Sequence, residues 1–382
     1  MVPRSSRGGG IFPSSKNQMS NQKQSINIAI IGAGFARTVQ IPGFLNWEGA
    51  RVVAIASKHK SNAEKVAHEF GIEHFTDDWR EIIKRDEVDL VSIVTPPVTH
   101  CEMTLAALDA DKAVLCEKPT AMNADEALAM WDKAKEKNAL ALIDHELRFL
   151  NGRLKAREMI SNGTIGEIRH AKLLFRTDSR ASDERGWNWW SDEKQGGGAL
   201  GAIGSHAVDG FRWLLKTEVE EVFCSLNTYT KERKDTETGE LKKVTTDDEA
   251  NLILRFADNE LMKGATAAIS LSMIESGKAE HRLEVFGSKG ALMIEEGGQL
   301  FHSQTGEGAW REIEIERGEL AKGMLDKGWT KGFTAFSKRI ITALQAGEKT
   351  VEGSATFEDG YRAQLVLDAA RRSNENRCVV KL

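Results

Sequence analysis

The sequence has few cysteines and no long apolar segment. No cysteines stand at the CxxC spacing, and none is paired with histidine at a zinc-site spacing, so neither a disulfide framework nor a metal centre is predicted. This cysteine usage fits a reducing cytoplasm. Because no uninterrupted apolar run approaches the length that crosses a bilayer, a membrane-spanning protein is excluded. The cysteines are Cys101, Cys116, Cys224 and Cys378.

The chain also lacks a basic excess and an internal repeat. Its 52 lysines and arginines face 57 aspartates and glutamates, which gives a formal net charge of -5. Without a basic stripe interleaved with aromatic residues, a nucleic-acid partner is not expected. Because 382 residues exceed what one hydrophobic core usually organises, two domains are expected.

Residues 1–25 contain four basic residues, no acidic residue, and many serines, glycines, asparagines and glutamines. This composition has nothing to bury and predicts a disordered N-terminal tail. Two origins stay open for it. It is either a transit peptide, although the amphipathic helical pattern is missing, or the product of a misassigned upstream start, with Met19 as the true first residue.

Residues 26–148 alternate continuous apolar strands with helical patterns. The strands are INIAII, RVVAIAS, VDLVSIVT, AVLCEKP and ALALIDH. Strands that are apolar on both faces, with helices between them, indicate an α/β domain with a doubly wound parallel sheet of the Rossmann type.

Residues 149–382 have a different rhythm. Amphipathic strands follow one another with few helices between them, which predicts an α+β domain with a large, mainly antiparallel open sheet. The charged segment 231–248 is predicted to be the solvent-exposed tip of a hairpin, with Gly239 at its turn. Two late helical patterns close the chain, and this second domain is expected to bind substrate and form the oligomer.

A glycine-rich turn follows the first strand and opens the first helix. Gly32 permits a tight turn and Gly34 lets the backbone approach a pyrophosphate, so the turn predicts a dinucleotide site that also includes Phe35, Ala36 and Arg37. Arg37 stands where a third small residue is usual, and Ala36 takes that role if the turn is one residue shorter. The alternative is a glycine-rich turn without a ligand.

The second strand ends in Ser57 and Lys58 rather than in the carboxylate that binds the ribose hydroxyls of NAD. A hydroxyl group and cations suit a 2'-phosphate, so NADP(H) is the predicted cofactor, with NAD(H) as the alternative. Lysines are also common on protein surfaces after strands. In this alternative, Lys58 is an ordinary surface residue and does not bind the cofactor.

Three segments resemble the glucose-fructose oxidoreductase, inositol dehydrogenase and MocA family. They are VSIVTPPVTHCEMTLAAL, AVLCEKPTAMNADEA and GGGALGAIGSHAVDGFRWL, and the resemblance runs from Ile26 to the end of the chain. It implies a Rossmann domain joined to an open antiparallel sheet, with substrate held between them. It also implies that the outer face of that sheet forms a homodimer or homotetramer.

Lys118 follows a predicted parallel strand, at the sheet edge where ligands bind, and its ammonium can stabilise an alkoxide. The resemblance implies that Lys118 contacts the nicotinamide and the reacting hydroxyl, and that Glu117 lies by the nicotinamide ribose. The alternative is a solvated lysine at a strand end.

His206 matches the family's histidine near the reacting oxygen, where an imidazole can exchange the hydroxyl proton. Otherwise it is a hydrogen-bonded structural histidine.

Asp209 is expected to orient the His206 imidazole or a substrate hydroxyl, or else to be an ordinary surface acid. Many family members carry an aspartate one helical turn before the histidine, and here that position is Ala202. The usual acid–base pair is therefore incomplete. Either His206 acts with Lys118 alone, or another group completes the site, or the chemistry differs.

Further candidate residues come from the remaining motifs. Thr95, Pro96 and His100 match the turn that passes the cofactor in this family, although Val98 stands where asparagine is frequent. A second group is predicted to line the substrate mouth, where indole faces stack on sugar rings, unless the tryptophans serve packing or a dimer interface. This group comprises Arg148, Trp187, Trp189 and Trp190.

These patterns predict a metal-free, cytoplasmic NAD(P)-dependent oxidoreductase. Its hydride transfer would act on a hydroxyl or carbonyl carbon of a sugar-like or cyclic polyol substrate. Two other classes stay open: a redox-neutral glycosidase or lyase that holds NAD tightly, and a sensor that binds dinucleotide without turnover.

Overall fold

The computed structural model describes residues 25–382, except for Asp183 and Glu237. The predicted tail therefore lies, apart from Ser25, outside the described residues. None of the helices in the described range is both long and apolar enough to cross a bilayer.

Seven strands form the first sheet, in the order β17-β6-β5-β4-β1-β2-β3. All pair in parallel except β17, which runs antiparallel to β6. The chain runs from β1 to β2 and β3 on one side, and then crosses to β4 on the other side of β1. The strand order therefore reverses at β1, and a crevice opens at the carboxyl ends of β1 and β4. The strands are β1 (Ile26–Ile31), β2 (Ala50–Ala56), β3 (His74–Thr76), β4 (Leu90–Ile93), β5 (Ala113–Cys116), β6 (Ala141–Ile143) and β17 (Ala355–Thr356).

Helices cover both faces of this sheet, because its central strands are buried on both sides. The third helix is capped at its C-terminus by Gly71, which takes the left-handed conformation that glycine adopts without strain. The helices are α1 (Gly34–Thr38), α2 (Gln40–Leu45), α3 (Lys60–Phe70), α4 (Trp79–Ile83), α5 (His100–Asp109) and α6 (Ala124–Lys137).

Nine strands form the second sheet, in the order β16-β15-β14-β13-β7-β12-β11-β8-β18. Only the β7–β12 pair among them is parallel, so the predicted mainly antiparallel sheet is confirmed. The strands are β7 (Ile168–Arg176), β8 (Val219–Asn227), β11 (Glu249–Phe256), β12 (Met262–Ser272), β13 (Glu280–Gly287), β14 (Gly290–Glu295), β15 (Leu300–Gln304), β16 (Arg311–Ile313) and β18 (Val380–Lys381).

Three helices cover the inner face of the second sheet, where alternate strand residues form its core. They are α7 (Asn151–Ser161), α8 (Ser205–Leu215) and α10 (Phe357–Asn376). A π-helical turn, Leu200–Gly204, leads directly into α8, so this helical segment begins with a widened turn.

The chain returns to the first sheet near its end. Helix α9 (Thr330–Ala346) places Phe333 and Phe336 in the core of the first sheet, and β17 joins that sheet beside β6. Gly43 of α2 permits close packing there, because a Cβ at this position would lie 2.5 Å from the Phe333 ring. The predicted division assigns all of residues 149–382 to the second domain, whereas the structure packs this late segment on the first.

The charged segment 231–248 forms the predicted hairpin, with strands β9 (Glu232–Lys234) and β10 (Leu241–Lys243). Gly239 has a φ of +75° near its turn. The hairpin is only partly exposed to solvent, whereas the sequence predicts a solvent-exposed tip. Arg233 and Asp235 are buried, and the Trp187 backbone donates a hydrogen bond to Lys234.

Candidate active site

A cleft of about 800 Å³ lies at the carboxyl ends of β1, β2, β4 and β5. The opposite wall comes from residues 187–195 and from the β9–β10 hairpin of the second domain. Ligands of doubly wound sheets bind at this edge, so the cleft is where the topology predicts a cofactor. Its predicted lining residues are Gly32, Gly34, Phe35, Ser57, Lys58, Thr95, Pro96, Glu117, Lys118, Trp187, Trp189 and Trp190.

The glycine-rich turn is shaped for close approach. Gly32 has a φ of +110°, and a Cβ there would lie 2.2 Å from the Val94 carbonyl oxygen. Gly34 has open space where a Cβ would stand, with no heavy atom within 4 Å. A pyrophosphate therefore fits against the backbone of this turn, which begins α1.

Three residues predicted to bind cofactor have other contacts. Arg37 points away from the cleft, and its Nε lies 2.6 Å from Glu69 Oε2 in an exposed ion pair. Ala36 is fully buried and supplies the small side chain that α1 needs for packing. His100 is also fully buried, with Nδ1 and Nε2 3.0 and 2.8 Å from the carbonyl oxygens of Pro119 and Thr95. It therefore joins two cofactor-side loops instead of facing the cleft.

Lys118 follows the end of β5 and lies half-buried in the cleft. Its Nζ donates a hydrogen bond to the Ala202 carbonyl oxygen at 3.1 Å. The ammonium thus binds the backbone of the π-helical turn at the position where many family members carry an aspartate. Asp247 holds the start of that turn, since its Oδ2 accepts a hydrogen bond from the Leu200 backbone at 2.7 Å.

A buried cluster of acids lies beneath the Lys118 end of the cleft. Gln40 Nε2 donates to Glu117 Oε1 at 3.0 Å and to Asp144 Oδ2 at 2.8 Å, while Ser92 Oγ donates to Gln40 Oε1. Burial raises the pKa of both Glu117 and Asp144. The charge of Glu117 raises the pKa of Asp144 further, whereas the charge of Lys118 and a hydrogen bond with Asp144 oppose the rise at Glu117. Burial also raises the pKa of Glu146 to about 8.

Gln40, Asp144, Glu146 and Asp247 were not predicted from the sequence. For Asp144 and Glu146 a signal was present, because polar residues directly follow the apolar strand β6, at the edge where the other site residues also lie. Asp247 and Gln40 had no comparable signal, since nothing near them in sequence distinguishes them from ordinary polar residues.

His206 lies in the first turn of α8, beside a histidine that the sequence analysis did not single out. Its Nδ1 is 3.3 Å from His145 Nδ1, and the two rings meet edge to face at 5.2 Å. Burial lowers the pKa of His206 well below its usual value, and the positive charge of Lys118 lowers it further. His206 is therefore neutral at neutral pH, so one of its ring nitrogens has a lone pair, and it is a weaker base than a free imidazole.

Asp209 does not contact His206, contrary to the expectation that it orients this imidazole. Its carboxylate accepts hydrogen bonds from Arg148 Nε at 2.9 Å and Nη2 at 2.5 Å, and its Oδ2 lies 3.8 Å from His145 Nδ1. Burial by itself would raise the pKa of Asp209, but Arg148 and His145 lower it below the usual value. Asp209 is thus a buried, ionised carboxylate.

Arg148 is not among the residues that line the cleft, contrary to its predicted place at the substrate mouth. Its side chain is buried and paired with Asp209 and with Asp359, whose Oδ1 lies 3.2 Å from Nη2. The tryptophans do reach the cleft. Trp189 and Trp190 contact each other with ring centroids 5.2 Å apart, and Trp187 Nε1 donates to the Lys243 carbonyl.

No group of three histidine, cysteine, aspartate or glutamate side chains within the described part of the chain is arranged to hold a metal ion. The dinucleotide turn, the lysine at the strand edge and the neighbouring histidine define a dinucleotide-dependent oxidoreductase site.

Two family models match this chain. Residues 26–145 match the oxidoreductase family with an NAD-binding Rossmann fold, and residues 154–293 match the GFO/IDH/MocA C-terminal domain. The chain belongs to the Gfo/Idh/MocA family and is an oxidoreductase with an NAD-binding Rossmann domain. The predicted family, fold class and enzyme class are confirmed.

Relatives match along nearly the whole chain. Levoglucosan dehydrogenase from Pseudarthrobacter phenanthrenivorans is 29% identical over 378 residues, covering 91% of this chain and 95% of the relative. Human glucose-fructose oxidoreductase domain-containing protein 2 is 27% identical over 365 residues, covering 91% of each. A solved structure of levoglucosan dehydrogenase with NADH and levoglucosan is similar with a TM-score of 0.83 at 26% identity, covering 94% of this chain and 99% of that chain.

Proposed function

We propose that the protein is an NAD(P)-dependent dehydrogenase or reductase that acts on a hydroxyl or carbonyl carbon of a carbohydrate-like substrate. The observation that carries this proposal is the position of Lys118. Its ammonium lies in the same cleft as the glycine-rich turn and the three tryptophans, and its charge acts on the neighbouring His206.

Each side chain has a separate task in this proposal. A bound nicotinamide dinucleotide supplies the hydride acceptor or donor. Lys118 stabilises the negative charge that develops on the substrate oxygen, in a cleft partly shielded from water. His206, neutral at neutral pH, takes the hydroxyl proton during oxidation and returns it during reduction.

The tryptophans support a carbohydrate-like substrate. Trp187, Trp189 and Trp190 are half-exposed on the wall opposite the cofactor turn, where indole faces can stack on the CH-rich side of a sugar ring. The related levoglucosan dehydrogenase has been solved with levoglucosan and with L-sorbose. We therefore place anhydrosugars and ketoses first among the substrates to be tested.

We further propose that the cofactor is NADP(H). Ser57, Lys58 and His59 line the cleft directly after β2, and no carboxylate follows that strand. A hydroxyl group and a cation there favour a 2'-phosphate over free ribose hydroxyls. The related enzyme binds NADH, so fluorescence titration of NADPH and NADH against the purified protein is a direct comparison. Tighter binding of NADH would refute the NADP(H) proposal.

The first experiment distinguishes the three functional classes. The purified protein is examined for released dinucleotide by absorbance and mass, and then assayed at 340 nm with each cofactor and a panel of anhydrosugars, ketoses and polyols. Turnover with reversible cofactor binding supports the dehydrogenase. Stoichiometric NAD that is not released moves the search to redox-neutral glycoside cleavage. Tight, reversible binding without turnover of any substrate favours the sensor.

We also propose that the outer face of the nine-stranded sheet forms a homodimer or homotetramer. Phe223 and Ile253 support this, because they are register partners on β8 and β11 and both are exposed. Light scattering on the wild type and on Ile253→Glu measures it. A wild-type monomer, or an unchanged oligomer in the variant, would count against this face.

A cytoplasmic location is part of the proposal as well. Its support is that all four cysteines have free thiols. Fractionation of source cells with an antibody against the chain measures the location.

A further inference from the structure

Two histidine rings meet beneath the cleft, and one of them has no role in the proposed chemistry so far. His145 follows β6 and precedes a short 3-10 turn, Glu146–Phe149, which fixes its backbone. Its Nδ1 lies 3.3 Å from Nδ1 of His206. At this distance a hydrogen bond needs one ring to donate and the other to accept, so the two tautomers depend on each other.

We propose that His145 is the positioning residue that completes the acid–base pair, in place of the aspartate missing at Ala202. The contact occupies Nδ1 of His206 and leaves Nε2 as the nitrogen for the substrate. This inference rests on the proposed function, in which His206 exchanges the hydroxyl proton.

The proton has a complete path. During oxidation the substrate hydroxyl proton moves to His206 Nε2, and the His206 Nδ1 proton moves to His145 Nδ1. The two C–H bonding electrons leave with the hydride to the dinucleotide, and the substrate becomes a carbonyl compound. His145 then carries the proton beside Asp209. Because His145 is buried and His206 is partly exposed, the proton returns through His206 to water in the cleft once the product has left, and reduction runs the same steps backwards.

Asp209 supports the receiving end of this path. Its Oδ2 is 3.8 Å from His145 Nδ1, and its ion pair with Arg148 keeps it ionised inside the protein. A buried negative charge at this distance stabilises the cationic form of His145 that exists after the proton has moved to Nδ1. Asp209 thus acts on His145, and not directly on His206 as the sequence predicts.

Burial and neighbouring charges lower the pKa values of His145 and His206. Burial lowers the pKa of His145 to about 4; Asp209 and Asp359 oppose this shift, while Arg148 and Lys118 add to it. Lys118, Arg153 and His281 face His206 and lower its pKa too. The resting pair therefore holds no extra proton at neutral pH, so the base form is ready for oxidation.

An aspartate at position 202 would lie beside Lys118, whose Nζ here donates to the Ala202 carbonyl. That backbone contact positions the ammonium without adding a negative charge. The neutral histidine pair consequently replaces a charged carboxylate, and the partner of His206 in the acid–base step comes from the loop after β6 instead of from the turn before α8.

The test does not require a known substrate. Protein labelled with ¹⁵N-histidine is titrated from pH 3 to 9, and the ring nitrogen shifts of His206 are compared between the wild type and His145→Gln. We expect the His206 tautomer ratio to change and its titration to move by about one pH unit, because its Nδ1 partner is exchanged. His68→Gln is the matched control, since His68 is exposed on α3.

Two outcomes would overturn the proposal. One is a folded His145→Gln protein, with wild-type melting temperature and dinucleotide affinity, in which the His206 shifts and titration stay unchanged. If that variant does not fold, His145→Phe keeps a ring of similar size without its nitrogen atoms and is examined in the same way. An unchanged His206 titration there would be equally negative.

A kinetic test follows on any substrate that the wild type turns over. His145→Gln should lower kcat about 10- to 100-fold, leave KM within a few-fold and move a limb of the pH–rate profile, with partial recovery in His145→Asn. A merely structural role would lower stability without moving the profile, and that result would refute the relay. Absence of any wild-type turnover would refute the proposed function, whereas the titration would still decide the coupling.

Discussion

The contact between Lys118 and the Ala202 carbonyl shows how the site accommodates an alanine where many family members carry an aspartate. The ammonium has a fixed acceptor, so it is held in the cleft although the family's usual aspartate is missing. Its position depends on a hydrogen bond to the π-helical turn that carries Ala202. An ammonium held in this way can stabilise a developing oxyanion.

Replacement of that ammonium tests its role directly. Lys118→Ala should lower turnover at least about 100-fold while dinucleotide affinity changes only a few-fold, because one electrostatic stabiliser is lost. Steady-state kinetics and fluorescence titration measure the two effects. Lys84→Ala, an exposed lysine after α4, is the control. Turnover of Lys118→Ala close to that of this control would remove Lys118 from the mechanism.

Glu146 makes stability depend on pH. Burial raises its pKa from 4.5 to about 8, so its contribution to stability is complete below pH 4.5 and is lost as the pH rises through about 8. Glu146→Gln stays neutral throughout. Its melting temperature relative to wild type should therefore rise by about 2 °C or more between pH 6 and pH 9.

Calorimetry at both pH values measures this difference. Glu73→Gln removes an exposed carboxylate and serves as the comparison. If the melting-temperature difference between Glu146→Gln and wild type is the same at pH 6 and pH 9, the Glu146 carboxyl group is not held neutral by its burial.

At the scale of elements, the turn between β1 and α1 combines two different demands on glycine. Gly32 touches the neighbouring strand end, since a Cβ would lie 2.2 Å from the Val94 carbonyl oxygen, and its φ is +110°. Gly34 borders open space instead. The first glycine therefore serves the fold, and the second serves the ligand.

A pair of alanine substitutions separates the two demands. Gly32→Ala should lower the melting temperature by several degrees, because both the conformation and the contact with Val94 become strained. Gly34→Ala should leave the melting temperature near wild type and weaken dinucleotide binding about 10-fold or more, because the new methyl group enters the pyrophosphate space. Thermal unfolding and fluorescence titration check both variants. Equal loss of binding with no loss of stability in Gly32→Ala would contradict this division.

At the scale of the whole molecule, the two sheets are joined by more than the linker near Arg148. Helix α9 comes after the second sheet in sequence but packs on the first, where Phe336 stacks on Phe149 with ring centroids 4.5 Å apart. Helix α10 then contacts α6 as well as the second sheet. The core of the first domain therefore includes side chains of α9, which lies close to the end of the chain.

Removal of one ring tests this dependence. Phe336→Ala should destabilise the protein by about 3–5 kcal/mol, because it leaves a cavity in a fully buried position. Dinucleotide binding should be lost at the same urea concentration as the secondary structure. Leu325→Ala, whose leucine is 68% exposed, should change little. Retention of binding after the secondary structure has melted would mean that the Rossmann sheet is stable without α9.

The sequence by itself determined the parallel sheet, the antiparallel sheet, the turn at Gly32 and Gly34, and the place of Lys118 at a strand edge. These follow from local periodicity, from glycine conformations and from motifs that are short in sequence. Only the tertiary structure decided that Arg148 pairs with Asp209, that His100 bridges two loops and that His145 meets His206. Those contacts join residues 19 to 61 positions apart, and a side chain's partner across such a gap depends on how the elements pack.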